Sequence, residues 1–220
     1  MPAPSDEGSE LEARRRDPRY QRLMAATREV ARGGYDAVSM RELAEITRMS
    51  LTTIYQFCSS KDHLIAEAHL ERMEAFRHML SHSKRGGGTV EERVLRVVRG
   101  IVNALERDEV MTRTLMRAMY SVDPGVAEVS KAVGTAYRDM VDDAIGDDDL
   151  PDREAVIETL GRVIDSAIYG WVARGSSVAD VRDTLEKAVR VLVGSCEQPR
   201  AARSARRRRS APPTRTEPVR

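Results

Sequence analysis

The stretch from Ser39 to Phe57 leaves the chain little choice of structure. Ser39 stands before an apolar-periodic run and Glu42 follows three residues on, the pattern of a capping box that opens a short helix. Met40, Leu43, Ala44 and Ile46 form its apolar stripe, and the chain breaks at Arg48-Met49. Ser50 then caps a second, shorter helix that ends at Phe57. Two short helices joined by so tight a break have the dimensions of a helix-turn-helix unit. In the second of them Ile54 points inward, which turns Thr52, Thr53, Tyr55 and Gln56 outward or sideways. Hydroxyls, a phenol and an amide suit a surface that meets phosphates and base edges. Lys61 opens the next helix, where its ammonium and the free N–H groups can hold one phosphate.

The rest of the chain is helical by the same kind of signal. Asp17-Pro18 opens a first helix, with Leu23, Met24, Ala26, Val30 and Ala31 at helical spacing, and Gly33-Gly34 ends it. Ser59 or Ser60 caps the helix from Lys61 to about His82, and Ser59 with Asp62 makes a capping pair. Beyond Gly86-Gly87-Gly88, Thr89 with Glu92 opens a helix to about Arg107, and a shorter one covers Val110 to Tyr120. Asp123-Pro124 opens a helix to about Ile145, Pro151 starts one to about Arg174, and Ser177 with Asp180 caps the last, to Gly194. No strand pattern exceeds four residues. The expected fold class is all-α: an N-terminal three-helix helix-turn-helix domain over residues 18–64 and a helical bundle over 65–197, about nine helices in all. Residues 1–17 read as a disordered arm and 198–220 as a disordered tail containing Arg206–Arg209 and Pro212-Pro213.

A net charge of +1 hides an asymmetry. Residues 1–64 are neutral, residues 65–197 carry −6, and the tail carries +7. Average charge therefore decides nothing about nucleic acid; local placement does. No apolar run reaches the roughly 20 residues of a transmembrane helix, and Met1–Asp17 has no apolar stretch of a secretory signal. Two cysteines, Cys58 and Cys196, make no disulfide framework, which fits a reducing cytoplasm. His78 and His82 are four apart but lack a third ligand, and Asp147-Asp148-Asp149 lacks the alternation of a calcium loop. No metal or cofactor is expected, and no nucleophile elbow, phosphate loop or Cys–His pair supports an enzyme. A helical interaction module without DNA activity remains the alternative.

The second domain shows helices apolar on more than one face. Val156, Leu160, Val163, Ala167 and Gly170 line one side of the Pro151–Arg174 helix; Ile157, Ile164, Ile168 and Trp171 line another. A helix apolar on two sides lies between two partners. The last helix carries Val178, Val181, Leu185, Ala188, Val189 and Leu192 on one stripe. Val156, Leu160, Val163, Ala167, Leu185, Val189 and Leu192 are thus candidates for a twofold four-helix interface between two copies, with one large monomeric core as the alternative. The middle helices hold Met111, Met116, Met119, Tyr120, Tyr137 and Met140, with Arg113 and Arg117 one turn apart. Methionine adapts to irregular ligands and also fills cores, so these residues read either as a small-molecule chamber closed by Ile164, Ile168 and Trp171 or as packing.

Gly33-Gly34-Tyr35-Asp36-Ala37-Val38-Ser39-Met40-Arg41, Ser50-x-x-Thr53-Ile54-Tyr55 and Lys61-x-x-Leu64 resemble the TetR family of bacterial transcriptional regulators over about Arg19 to Leu70. Thr52 stands where that family often has Gly, and Cys58 where it often has Phe. The resemblance implies that Arg41 enters the major groove, that Leu51, Thr52 and Gln56 face bases, and that Ser39, Thr53, Tyr55 and Lys61 face phosphates, with Ser50, the cap of the reader, also among the DNA-binding residues. It implies a homodimer that places two readers on a pseudo-palindromic operator of double-stranded DNA and is released by a small-molecule effector. Leu115–Asp123, Trp171-x-x-Arg174-x-x-Ser177-x-x-Asp180-Val181 and Ala188-Val189-Arg190-x-Leu192-x-Gly194 are similar to the actinobacterial repressors of cholesterol catabolism within that family. That similarity implies an acyl-CoA thioester as effector.

Overall fold

Most of the helices begin where a side chain takes up free backbone N–H groups; those that open at Met40 and Arg153 are the exceptions. The computed structural model describes residues 13–82 and 87–194. Among these, α1 is Pro18–Ala31, α2 Met40–Thr47, α3 Leu51–Phe57, α4 Lys61–His82, α5 Val90–Arg107, α6 Glu109–Met119, α7 Pro124–Ile145, α8 Arg153–Arg174 and α9 Val178–Val189. A 3-10 turn, Tyr35–Ala37, separates α1 from α2, and a π-helical turn, Arg190–Gly194, follows α9. No strand occurs among the described residues. Asp17 caps α1, Ser50 caps α3 and Asp123 caps α7, while Thr89 with Glu92 and Ser177 with Asp180 form complete capping boxes.

Four local expectations need correction. Ser39 makes no side-chain cap bond to α2, so its box with Glu42 does not form. Ser60 caps α4 by accepting the His63 N–H at 3.1 Å, while Ser59 and Asp62 turn to partners far along the chain. Helix α8 starts at Arg153, because Asp152 takes a left-handed conformation at φ 56° and Pro151 lies in the preceding turn. Residues 13–16 are helical rather than part of a disordered arm. The remainder of that arm, the arginine tail, Cys196 and the side chain of His82 lie outside the described residues.

Helix α4 crosses the expected domain boundary at residue 64 without a break. Its head packs on α1, and its body packs most extensively on α7 and then on α6. Helices α5 and α8 both lie against α9, which closes the bundle at the far side. The core runs continuously from Tyr20, Leu23 and Leu43 through Leu64, Ile65 and Leu70 to Leu115, Met140, Ile164 and Trp171. Val156, Leu160, Leu185 and Val189 are buried in this core by their own chain, so they are not surface for a second copy. Val163, Ala167 and Leu192 are only partly buried. Ile46, expected on the apolar stripe of α2, is exposed, and Thr47 is buried instead with its hydroxyl donating to the Leu43 carbonyl.

One buried charge fastens the N-terminal helices to α4. Glu67 is 2% exposed. It accepts the Tyr20 hydroxyl at 2.8 Å and an Arg14 N–H, with Arg15 at 3.7 Å and His63 at 3.6 Å. Burial works against its charge, but the bonds from His63 and Tyr20 and the charges of Arg14 and Arg15 outweigh burial and hold the carboxyl below its usual range. Arg14 also donates to the Phe57 carbonyl at 3.1 Å, which ties the end of α3 into the same cluster.

A carboxyl with a lowered folded value stabilises the fold above its ordinary value, near 4.5 here. That stabilisation is lost as pH falls through the lowered value. Glu67→Gln is expected to cost about 3–5 kcal/mol, because the half-buried arginines and the buried Tyr20 hydroxyl lose the charge they surround. Urea melts at pH 7 and pH 3 check this: the gap between wild type and variant should shrink at pH 3, and a gap that persists unchanged contradicts it.

Candidate nucleic-acid interface and sensing chamber

The turn between α2 and α3 depends on an unusual residue. Arg48 sits in the left-handed region at φ 55°, and its N–H and that of Met49 return to the Glu45 and Ala44 carbonyls. Met49 then plugs into the core. Ser50 accepts the Thr53 N–H at 3.1 Å, and the two hydroxyls lie 2.8 Å apart. The Thr53 hydroxyl therefore serves the cap, which leaves Leu51, Thr52, Tyr55 and Gln56 as the outward face. Tyr55 is 53% exposed and Ile54 beneath it 0%. Arg41 on α2 and Arg48 in the turn are exposed beside this face, and Ser39 is half-buried with its hydroxyl outside any cap bond. Arg48 had no sequence signal beyond the break itself. Below the reader, Phe57 meets the Tyr20 ring edge-on at 5.7 Å, so α3 rests on α1. Cys58 is buried here, and burial pushes its thiol up to about 12, which keeps it protonated and unreactive.

Two contacts at the head of α4 join this reader to the bundle. In the first, the Tyr35 ring lies between the Lys61 ammonium and the Arg117 guanidinium, each 4.0 Å from its centroid. The Tyr35 hydroxyl donates to Asp62. Burial and that carboxylate push the Tyr35 hydroxyl up to about 12. Arg117 at the end of α6 therefore lies at the junction, outside the chamber where the sequence placed it. Lys61 likewise lies against an aromatic ring at the head of α4.

In the second contact, Ser59 donates to Asp123, the N-cap of α7, at 3.1 Å. Its backbone N–H donates to His63 Nδ1 at 3.2 Å. With Nδ1 accepting, the ring proton sits on Nε2, toward Glu67. Hydrogen bonds from Ser60 and the Gly125 N–H, then from Ser59, keep the Asp123 carboxyl below its usual range. Gly125 is required by this approach, since a Cβ there would stand 2.3 Å from His63 Nδ1. None of Tyr35, Ser59, His63, Asp123 or Gly125 was a site candidate, because their partners lie far away in sequence.

Within the bundle, Met116, Tyr137, Met140, Ile164, Ile168 and Trp171 are all buried, as the chamber reading and the packing reading both require. Met119 is partly buried. Tyr120 is 41% exposed and meets Tyr169 edge-on at 4.8 Å. Arg113 is already engaged: it pairs with Glu109 at 2.9 Å, donates to the Trp171 carbonyl at 3.1 Å and covers that indole at 4.5 Å. On the outside of α8 and α9 runs an open groove of 440 Å³, lined by Val163, Ala167, Gly170, Arg174, Val181 and Thr184 among others. Among the described residues no cluster of three His, Cys, Asp or Glu side chains is placed to hold a metal, and no helix is long and apolar enough to cross a membrane.

Residues 23–68 match the family described as bacterial regulatory proteins, tetR family, and residues 87–192 match the Tetracyclin repressor-like, C-terminal domain. The chain is 31% identical over 198 residues to the HTH-type transcriptional repressor KstR of Mycolicibacterium smegmatis, a match covering 89% of this chain and 95% of that one. It is 28% identical over 194 residues to the repressor of the same name from Mycobacterium tuberculosis, over 87% and 86% of the two chains. A TetR transcriptional regulator from Rhodococcus sp. RHA1 has a similar structure, with TM-score 0.67, 20% identity and 79% and 94% coverage. So does Thermus thermophilus FadR, a TetR-family repressor solved with lauroyl-CoA, with TM-score 0.62, 18% identity and 79% and 92% coverage.

The stacked junction makes a quantitative demand. A double-mutant cycle with Tyr35→Leu and Arg117→Ala, read by urea melting, is expected to give a coupling of about 0.5–2 kcal/mol. Additive losses from the two single variants contradict the contact.

Proposed function

The chain belongs to the TetR family of bacterial regulatory proteins, and on that premise we propose that it is a homodimeric cytoplasmic repressor released from its operator by an acyl-CoA thioester of lipid or steroid catabolism. The observation that carries the DNA-binding part is the α2–α3 unit. Its underside is locked by Leu43, Ile54 and Phe57, and its outer face is left to Arg41, Leu51, Thr52, Tyr55 and Gln56. Such a face reads base edges from the major groove, with Ser39 and Tyr55 on the phosphates beside it. Lys61 serves the flanking phosphate from the head of α4, steadied by the Tyr35 ring.

A single seven-residue reader holds DNA weakly, so two copies are needed. The groove along α8 and α9 supports a second copy as its occupant. Small residues, Ala167 and Gly170, leave room along α8, and Val163 in its lining is only partly covered. Two readers about 34 Å apart then meet successive major grooves on one face of the duplex.

Effector action follows from the junctions. Met111, Met116 and Met140 are unbranched and polarisable, so the chamber can repack around an apolar chain. A ligand that separates α6 and α7 moves Arg117 and Asp123, and with them Tyr35, Ser59 and the head of α4. It acts only by preferring the state in which the readers are misaligned. The FadR neighbour carries a fatty-acyl thioester, which supports this ligand class.

Anisotropy of a labelled duplex from the region upstream of the protein's own gene tests the reading. Selective, salt-sensitive binding that dodecanoyl-CoA or a steroid-acyl thioester releases is the expected result. Selective binding that no thioester changes removes the effector class. Tyr55→Ala and Arg41→Ala are each expected to weaken operator binding about tenfold or more while sedimentation still shows a dimer. Gly125→Ala, which displaces His63, is expected to raise the thioester concentration for half-release about fivefold or more. Release at the wild-type concentration counts against the junction.

A further inference from the structure

Two side chains in the bundle hold polar atoms that the fold leaves unpaired. His69 on α4 is 2% exposed, and neither ring nitrogen has a hydrogen-bond partner. Tyr137 on α7 is 8% exposed, and its hydroxyl is also unpartnered. Helices α4 and α7 share the most extensive contact in the molecule. The Arg72 guanidinium, one turn beyond His69, acts electrostatically on both groups. Arg72 itself donates to Thr112 Oγ1 at 3.1 Å and to the Ala104 carbonyl at 2.7 Å.

Burying a donor or acceptor without a partner costs about 1–3 kcal/mol. Leucine or phenylalanine would fill these positions without that cost. Other buried polar groups nearby show what a structural role looks like: the Thr114 hydroxyl donates to the Val110 carbonyl, and Thr112 accepts from Arg72. His69 and Tyr137 are exceptions to this pattern, and their neighbours along the chain, Leu70 and Met73 on α4 and Met140 on α7, are buried apolar residues.

We propose that His69 and Tyr137 form a polar subsite that binds a neutral oxygen function, a ketone or hydroxyl, on the apolar body of the effector. This rests on the reading that the bundle takes an apolar ligand, and it adds which chemical feature of that ligand is recognised. Tyr137 donates its hydroxyl to the ligand oxygen. His69 stays neutral, since burial and then the Arg72 charge push its imidazole down to about 3. A neutral imidazole offers one donor and one acceptor, so it serves either oxygen function. A site built to hydrogen-bond an oxygen rejects the analogue that lacks it, because its own polar atoms then stay unpaired. A free carboxylate would gain from Arg72 but would have to shed its hydration in an apolar interior, which favours the neutral oxygen.

The test uses a matched pair of probes, 2-decalone and decalin, which differ only by a ketone. Trp171 is the sole tryptophan of the chain and is buried in the same bundle, so its fluorescence reports binding. The wild-type protein should bind 2-decalone about tenfold more tightly than decalin, and Tyr137→Phe and His69→Leu should each erase most of that preference. In the unliganded protein the two substitutions should leave Tm unchanged or raise it, since each removes an unpaired polar group. Equal binding of the two probes by wild type, binding of neither, or a preference that survives both substitutions overturns the proposal. A drop in Tm for Tyr137→Phe also overturns it, since the hydroxyl would then have a structural partner such as a buried water. Release of operator by dodecanoyl-CoA is scored separately, so failure of the acyl-CoA reading is distinguishable from failure of the subsite.

Discussion

Glu67 is the point on which the two halves of the molecule turn. It sits on α4 where that helix leaves the reader and enters the bundle. From one side it takes the Tyr20 hydroxyl and the guanidinium groups of Arg14 and Arg15, which fixes α1 and, through the Phe57 carbonyl, the end of α3. From the other it faces His63, which touches Ser59, which in turn donates to the cap of α7. A charge this deep is tolerated only when its partners are complete. Its neighbours therefore form one chain of contacts from the reader to the cap of α7.

The Tyr35 stack gives the same coupling a second route. Arg117 ends α6, Lys61 begins α4, and the ring between them belongs to the turn that leads into α2. The stack thus ties the end of α6 to the turn before the reader's first helix, and the Ser59 bond ties the cap of α7 to the turn behind its second. Both routes converge on the head of α4. The small size of the reader makes this effective, since two seven-residue helices lose their joint register on DNA after a modest rotation.

Much of this was legible in the sequence wherever the deciding interaction is local. Ser50, Thr89 with Glu92, Asp123 before Pro124, and Ser177 with Asp180 were found because a cap acts over two or three residues. The inward turn of Ile54 and the exposure of Tyr55 follow from helical periodicity alone. Long-range partners were not legible. Ser59 was expected to cap with Asp62, but Asp123, 64 residues on, takes the Ser59 hydroxyl, and Tyr35, 27 residues back, takes Asp62. Arg117 looked like a ligand contact because its helix neighbours are methionines, and only the fold sets it over Tyr35. Val156, Leu160, Leu185 and Val189 fit an apolar stripe equally well whether a second copy or their own core covers it; their own core does. The resemblance in Gly33–Leu64 reached the family correctly, since its motifs are the turn and cap residues that build the reader.

Hydrogen exchange with and without dodecanoyl-CoA, followed residue by residue, tests the coupling most directly. If α4 transmits effector binding, exchange slows around Met140 and Trp171, and it changes together with this at Ser59–His63 and in Leu51–Phe57. A response confined to the bundle, with residues 51–63 exchanging as before, would contradict it.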